Sequence, residues 1–223
     1  MKKSKKFDDN FILIEAEDLS MEDEFMQYTP KTKREEVTKN LICEAIHCKV
    51  KNFYRPKYDP AFNLTTRGRI GILFAINKEP AVEVGYDFWI DAANNYDPKH
   101  NSRLGNRLEY VAFLGVLIKK FVADGKSLEW AWNVVCNDSK EIGNYIDSKD
   151  YEPFADTGSK GAFEFYDLGN TYKILADEYD GEGFWLAGGC CFVKGSAYPL
   201  ATITYHYDYI DGFYNSVGWI VCS

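Results

Sequence analysis

Long apolar runs are missing from this 223-residue chain. The longest central one, Val111 to Ile118, falls far short of the roughly 20 apolar residues that a membrane-spanning helix needs. Membrane insertion is therefore not expected. Lys2, Lys3, Lys5 and Lys6 make the N-terminus basic, but only Phe11-Ile12-Leu13-Ile14 follows, which is too short for the apolar region of a signal peptide. An excess of basic charge is missing too. The 26 Lys and Arg stand against 34 Asp and Glu, a net charge of −8. Nucleic-acid phosphates need the opposite sign, so no nucleic-acid partner is expected. Histidine occurs only as His47, His100 and His206, and no Ser-His-Asp or Cys-His arrangement stands out. No Gly-rich phosphate loop follows a strand, since Gly188-Gly189 alone is not one. The six cysteines have no regular spacing and read as free thiols in a reducing compartment. Zinc takes four ligands. Cys43, His47 and Cys48 have no second pair, so the two cysteines read as small buried thiols on a helix face. No metal or other cofactor is expected.

What is present is ample material for a core: 46% hydrophobic residues, of which aromatics are a large part. Phe11 to Glu15 reads as a strand. Thr32 to Val50 reads as a helix capped by Thr32 with Glu35 at the third helical position. Asn52 to Thr66, with Pro56 and Pro60, reads as a connecting loop, and Arg69 to Asn77 as a strand. Pro80 to Asn95 is open between a strand start at Val82 and Val84 and a short helix over Tyr86 to Ala93. Ser102 to Ala123 and Ser127 to Tyr145 read as two helices joined by a tight turn at Asp124-Gly125. Trp130 and Trp132 on the second read as core. Short strands are expected at Phe163–Leu168, Thr171–Ala176, Phe184–Ala187, Ala201–Tyr209 and Val217–Cys222. Helices first and strands later define an α+β domain, a helical pair packed on a small, mostly antiparallel sheet. The acidic cluster Asp177, Glu178, Asp180 and Glu182 reads as a solvated turn rather than a calcium site.

One segment fits neither a core nor a solvated loop. Cys190 to Ser216 lies between the apolar stretches Phe184–Gly189 and Val217–Cys222. It carries adjacent cysteines and a mixture of Tyr, Phe, His and Asp, with charge almost confined to Lys194, Asp208 and Asp211. Tyr and His give large contact area at low rotamer cost, as binding surfaces require. The alternative is a strand pair whose aromatics pack on neighbours. The candidate ligand-contacting residues are Cys190, Cys191, Phe192, Val193, Ser196, Thr204, Tyr205, His206, Tyr207, Asp208, Tyr209, Asp211, Phe213, Tyr214 and Asn215.

The order Gly161-Ala162-Phe163, Phe165-Tyr166-Asp167-Leu168-Gly169-Asn170, Phe184-Trp185-Leu186-Ala187-Gly188-Gly189 and a final Val217-Gly218-Trp219-Ile220-Val221 resembles the C-terminal half of the formylglycine-generating-enzyme variety of the C-type lectin fold. Arg103-Leu104 through Glu109-Tyr110 looks like the opening of that family's long helix. The resemblance implies a lectin-like domain over residues 61–223, preceded by an N-terminal extension, 1–60, with one helix at about 32–50. The catalytic cysteines of that enzyme would fall at Val193 and Tyr198. Sulfur is absent there, so the oxidase activity is not expected. The segment is also similar to the variable proteins of diversity-generating retroelements, which use the same scaffold. Adenine-directed mutagenesis of AAC or AAT codons cannot produce Lys, Glu, Gln, Met or Trp. Of the 27 residues from Cys190 to Ser216 only Lys194 belongs to that set. The set makes up roughly a fifth of the rest of the chain, so about five would be expected from composition. The resemblance implies a non-enzymatic protein of the cytoplasm or a phage particle. Its 190–216 surface would bind an unidentified protein or other macromolecule. A structural phage or host protein of the same fold is the remaining alternative.

Overall fold

The computed structural model describes residues 9–64, 70–75, 81, 84–139, 142, 172–179, 183–188, 199–206 and 216–223. β1 (Phe11–Ile14) pairs antiparallel with β2 (Phe53–Pro56), and α1 (Lys33–His47) lies between them in sequence. An antiparallel pair, β3 (Pro60–Leu64) and β4 (Ile70–Phe74), comes next. Then follow α2 (Tyr86–Tyr96), β5 (Arg103–Leu104), α3 (Arg107–Ala123) and α4 (Leu128–Cys136). The C-terminal part supplies β6 (Tyr172–Tyr179), β7 (Gly183–Ala187), β8 (Ile203–His206), β9 (Ser216–Gly218) and β10 (Ile220–Val221). The largest sheet has the order β8-β7-β6-β9 and is antiparallel except at β6–β9. The architecture is α+β, as the sequence pattern predicts.

Local chemistry explains where the helices begin. Thr32 and Glu35 form a reciprocal capping box on α1, and Asn106 and Glu109 form another on α3. Each box satisfies two backbone N–H groups that the first helical turn leaves open. The Glu109 carboxylate also accepts from both terminal nitrogens of the Arg103 guanidinium, at 2.8 and 2.5 Å. Ser127 caps α4 by accepting the Trp130 N–H at 3.2 Å. In α3 every residue from Glu109 to Ile118 is buried. A helix that is apolar around most of its circumference belongs in the middle of a fold rather than on its surface.

Successive residues of the central strands point to opposite faces of the sheet. Leu175 and Ala187 accordingly join a cluster with Ile42, Leu114 and Trp132 from the helices α1, α3 and α4. Their neighbours Ile174 and Leu186 join a second cluster with Phe74 and Trp89 from β4 and α2. Residues before position 60 belong to this core. Ile14, Leu19, Phe25 and Met26 are buried in the first cluster beside α3.

Several expectations change. The 52–66 stretch contains β2 and β3 rather than a plain loop. Its two prolines stand at strand ends, where a missing N–H costs no ladder bond. α2 settles the open region as a helix from Tyr86. α3 starts five positions later than Ser102 because Arg103–Leu104 pair with Ile220–Val221. α4 stops at Cys136, where Asn137 turns the chain and donates its side-chain amide to Glu35 Oε1 at 2.8 Å; Ile142 is again helical, and residues 140–141 and 143–145 of the expected helix lie outside the described residues. The expected single strand Val217–Cys222 is two strands in two sheets, broken at Trp219. Cys48 lies just past the end of α1 and is exposed, while Cys43 is half-buried; neither is a buried thiol on the helix face. Asp177 and Glu178 belong to β6, not to a turn. The expected strand at 163–168 lies outside the described residues.

Trp219 is 2% exposed and meets Phe53, Tyr110 and Phe113 ring to ring. A Cβ at Gly105 would collide with its indole, and one at Gly218 would sit 2.6 Å from that of Trp89. Trp219→Ala should destabilise the fold by about 3–5 kcal/mol through lost burial and a residual cavity. Thr204→Ser, on the exposed surface of β8, should stay within about 0.5 kcal/mol. Urea titration of both variants checks the order.

Candidate functional site

The candidate segment is bounded and interrupted by fixed points. The first is Gly188, directly after β7, with φ +88. Its N–H donates to the Thr202 carbonyl at 2.9 Å. A Cβ there would lie 2.9 Å from the Tyr110 hydroxyl oxygen. Glycine meets both demands, a left-handed backbone and no side chain.

The second fixed point is the turn 199–202. Leu200 is fully buried and Ala201 is 8% exposed. The Tyr110 hydroxyl donates to the Leu200 carbonyl at 2.9 Å. The Leu200 N–H donates to Ser139 Oγ at 2.9 Å, and the Ala201 N–H to the Val135 carbonyl at 3.1 Å. The Thr202 N–H closes the turn on Pro199 O at 3.0 Å. From there the chain enters β8, in register with β7: Ile203 opposite Ala187, Thr204 opposite Leu186, Tyr205 opposite Trp185 and His206 opposite Phe184. The third fixed point is Ser216, fully buried, which opens β9 opposite Tyr172.

Of the candidate ligand-contacting residues, Thr204 is exposed on β8, and Tyr205 and His206 follow it in the same strand. Cys190, Cys191, Phe192, Val193, Ser196, Tyr207, Asp208, Tyr209, Asp211, Phe213, Tyr214 and Asn215 lie outside the described residues. The anchoring turn is what sequence reasoning missed. Pro199-Leu200-Ala201 is an apolar triplet in the middle of a polar-aromatic stretch, and that was its one local signal.

Beneath Gly188 lies a buried ionic layer. Lys173 Nζ meets Asp59 Oδ2 at 2.8 Å, with both side chains at most 5% exposed. Arg55 is buried nearby in sequence on β2, its guanidinium 5.0 Å from the centre of the Phe113 ring. Burial holds the Arg55 pKa below its ordinary value, opposed by the charge of Asp59. Burial also pushes the Tyr110 hydroxyl up, so it stays protonated and remains a donor to Leu200. At the N-terminus of α3 the Arg107 N–H donates to the Asp177 carboxylate. The Arg107 guanidinium stands 5.3 Å from the half-buried ring of Trp185 on β7. A carboxylate at a helix N-terminus is favoured by the exposed N–H groups there. Asp177 thus serves a structural purpose that the acidic-turn reading did not anticipate.

Thiol chemistry finds little support among the described cysteines. Burial pushes both Cys136 and Cys222 up to about 12, so neither is a thiolate near neutral pH, and the thiolate is the nucleophile. No family model matches the chain, and neither a curated protein nor a solved structure matches it. Among the described residues no helix is long and apolar enough to cross a membrane.

Asp59→Asn removes the carboxylate 2.8 Å from a buried ammonium. It should cost about 3 kcal/mol or more in a urea titration, as breaking a buried ion pair does. In native protein at pH 8, iodoacetamide should modify exposed Cys48 and leave Cys136 and Cys222 intact, because a pKa raised by burial keeps both in the unreactive protonated form. Peptide mapping by mass spectrometry reads the outcome.

Proposed function

We propose that this is a ligand-binding protein in which a C-type-lectin-like α+β scaffold presents a retroelement-diversified segment, residues 190–216. The observation that carries the reading is compositional. Lys194 is the single residue among those 27 that adenine-directed mutagenesis of AAC or AAT codons cannot produce. Short strands also disfavour Lys and Glu, but strand preference does not account for the paired cysteines or the mixture of Tyr, His, Asp and Asn.

The framework is compatible with such use. Gly188, the 199–202 turn and Ser216 are held by buried backbone bonds and close contacts. Side chains between them can change without altering what anchors the chain, as binding segments on rigid supports require. The ligand is a protein or other macromolecule, and the protein works in the cytoplasm or on a phage particle. Val193 and Tyr198 stand where the oxidase that the chain resembles has its catalytic sulfur, and Cys190 and Cys191 come too early for it, which disfavours the enzymatic alternative.

The gene itself tests the reading. Mutated AAC or AAT codons keep their third base, so every rewritten codon ends in C or T. Val193, Ser196, Thr202 and Thr204 are the informative positions, because ordinary genes use A or G freely there. Lys194 should match the template directly. A near-copy of the segment, differing where the copy has adenine and lying beside a reverse-transcriptase gene, is expected. Purine endings at most of the informative codons and no near-copy would remove the proposal.

A further inference from the structure

A cleft of about 590 Å³ opens between β4 and α2, within the size range of ligand pockets. Its position is separate from the fixed points of the 190–216 segment. Ile70, Gly71 and Ile72 of β4 form one wall, and Phe88, Asp91 and Asn95 of α2 form much of the other. Side chains alternate along a strand. Three consecutive lining residues therefore mean that the cleft borders the β4 backbone itself and not merely one of its faces. Among the described residues β4 pairs with β3 alone. A strand paired on one side leaves a row of N–H and C=O groups on the other, which is a template for a further strand.

The chemistry of the walls narrows the occupant. Two large apolar side chains of the β3–β4 pair are left in solvent, Phe62 at 49% and Ile70 at 61% exposure. Phe62 meets Phe88 edge to face at 6.2 Å. The charged side chain among the described lining residues is the Asp91 carboxylate, an acceptor; the other polar ones are Asn63, Tyr96 and Asn95, whose amide already donates to the Asp91 carbonyl at 2.7 Å. Among the described residues no Lys, Arg or His lines the cleft. A second copy of this chain, at net charge −8, is a poor electrostatic match for an acidic cleft.

We infer that this cleft is a docking site for an extended polypeptide segment of a separate partner. The segment adds as a strand to the free edge of β4, lays an apolar side chain against Ile70 and Phe88, and directs a Lys or Arg to Asp91. Main-chain hydrogen bonds to the edge would supply affinity, and the acidic, aromatic wall would supply selectivity. The inference is independent of the diversified segment and stands or falls without it.

The probe is a fluorescent acetyl-Thr-Lys-Val-Arg-Val-Thr-amide peptide, titrated into the full chain by polarisation beside a counterpart with Glu at both basic positions. The basic peptide should bind saturably and slow amide exchange across β4. Asp91→Asn and Ile70→Lys should each weaken it about tenfold. Both positions are exposed, and an unchanged urea midpoint confirms that the fold survives. Equal binding of the Glu peptide, or full affinity in Asp91→Asn, overturns the proposal. Competition by arginine amide as effective as that of the peptide would make the cleft a small-cation pocket and overturn the strand addition. One further variant of the full chain replaces Lys2, Lys3, Lys5 and Lys6 by Ser. If it binds the probe about tenfold tighter, the basic N-terminal segment is the occupant and the partner assignment fails; unchanged affinity supports the partner.

Discussion

Trp219 is held where the C-terminal chain leaves one sheet and enters another, and much of the fold converges on that transfer. Its N–H donates to Ile174 O at 3.0 Å in the four-stranded sheet, and its carbonyl accepts the Gly105 N–H at 2.7 Å beside β5. Its ring fills the space between the N-terminal strand pair, through Phe53, and α3, through Tyr110 and Phe113. Gly105 has no side chain because the indole occupies that volume. Interiors packed at crystal-like density do not relax around such a contact. One side chain thereby touches the N-terminal strand pair and the long helix from the point where the last strands change sheets.

The side chain of Tyr110 extends this arrangement toward the candidate segment. One face of the ring system meets Trp219, and the hydroxyl reaches Leu200 O. A buried phenol that donates to a buried carbonyl satisfies two groups that would otherwise each carry a desolvation cost. The Lys173–Asp59 pair lies on the same side, where a side chain at Gly188 would come within 3.6 Å of Lys173 Cγ. The apolar layer includes Leu200 and Ala201 of the segment itself, and the Lys173–Asp59 pair lies beside it.

Features that were legible in the sequence are those governed by neighbours along the chain. The Thr32–Glu35 capping box, the apolar periodicity of α3 and the helix start at Ser127 all act within one or two turns, so their residue types announce them. The strands that the sequence did not announce are ones that long-range pairing creates. Arg103–Leu104 look like the start of a helix until Ile220–Val221 pair with them. Phe53–Pro56 look like a proline-rich loop until Phe11–Ile14 do the same. The candidate site divides likewise. Its odd composition is visible in one dimension, but Leu200 is fixed by Ser139 and Tyr110, 61 and 90 positions away, and no local pattern encodes such contacts.

The turn at 199–202 has a consequence for how specificity could evolve on this scaffold. A single tether across 27 residues would couple every change to every other through its shared conformational freedom. A buried peg in the middle makes two shorter tethers, and closure entropy rises only slowly with length, about 0.6 kcal/mol per doubling, so neither half gives up much order by being separate. Sites that share no partner contribute additively. Under the proposed function a recognition surface built this way would be modular: a contact established in one half would survive rewriting of the other, and successive rounds of variation would accumulate affinity instead of resetting it.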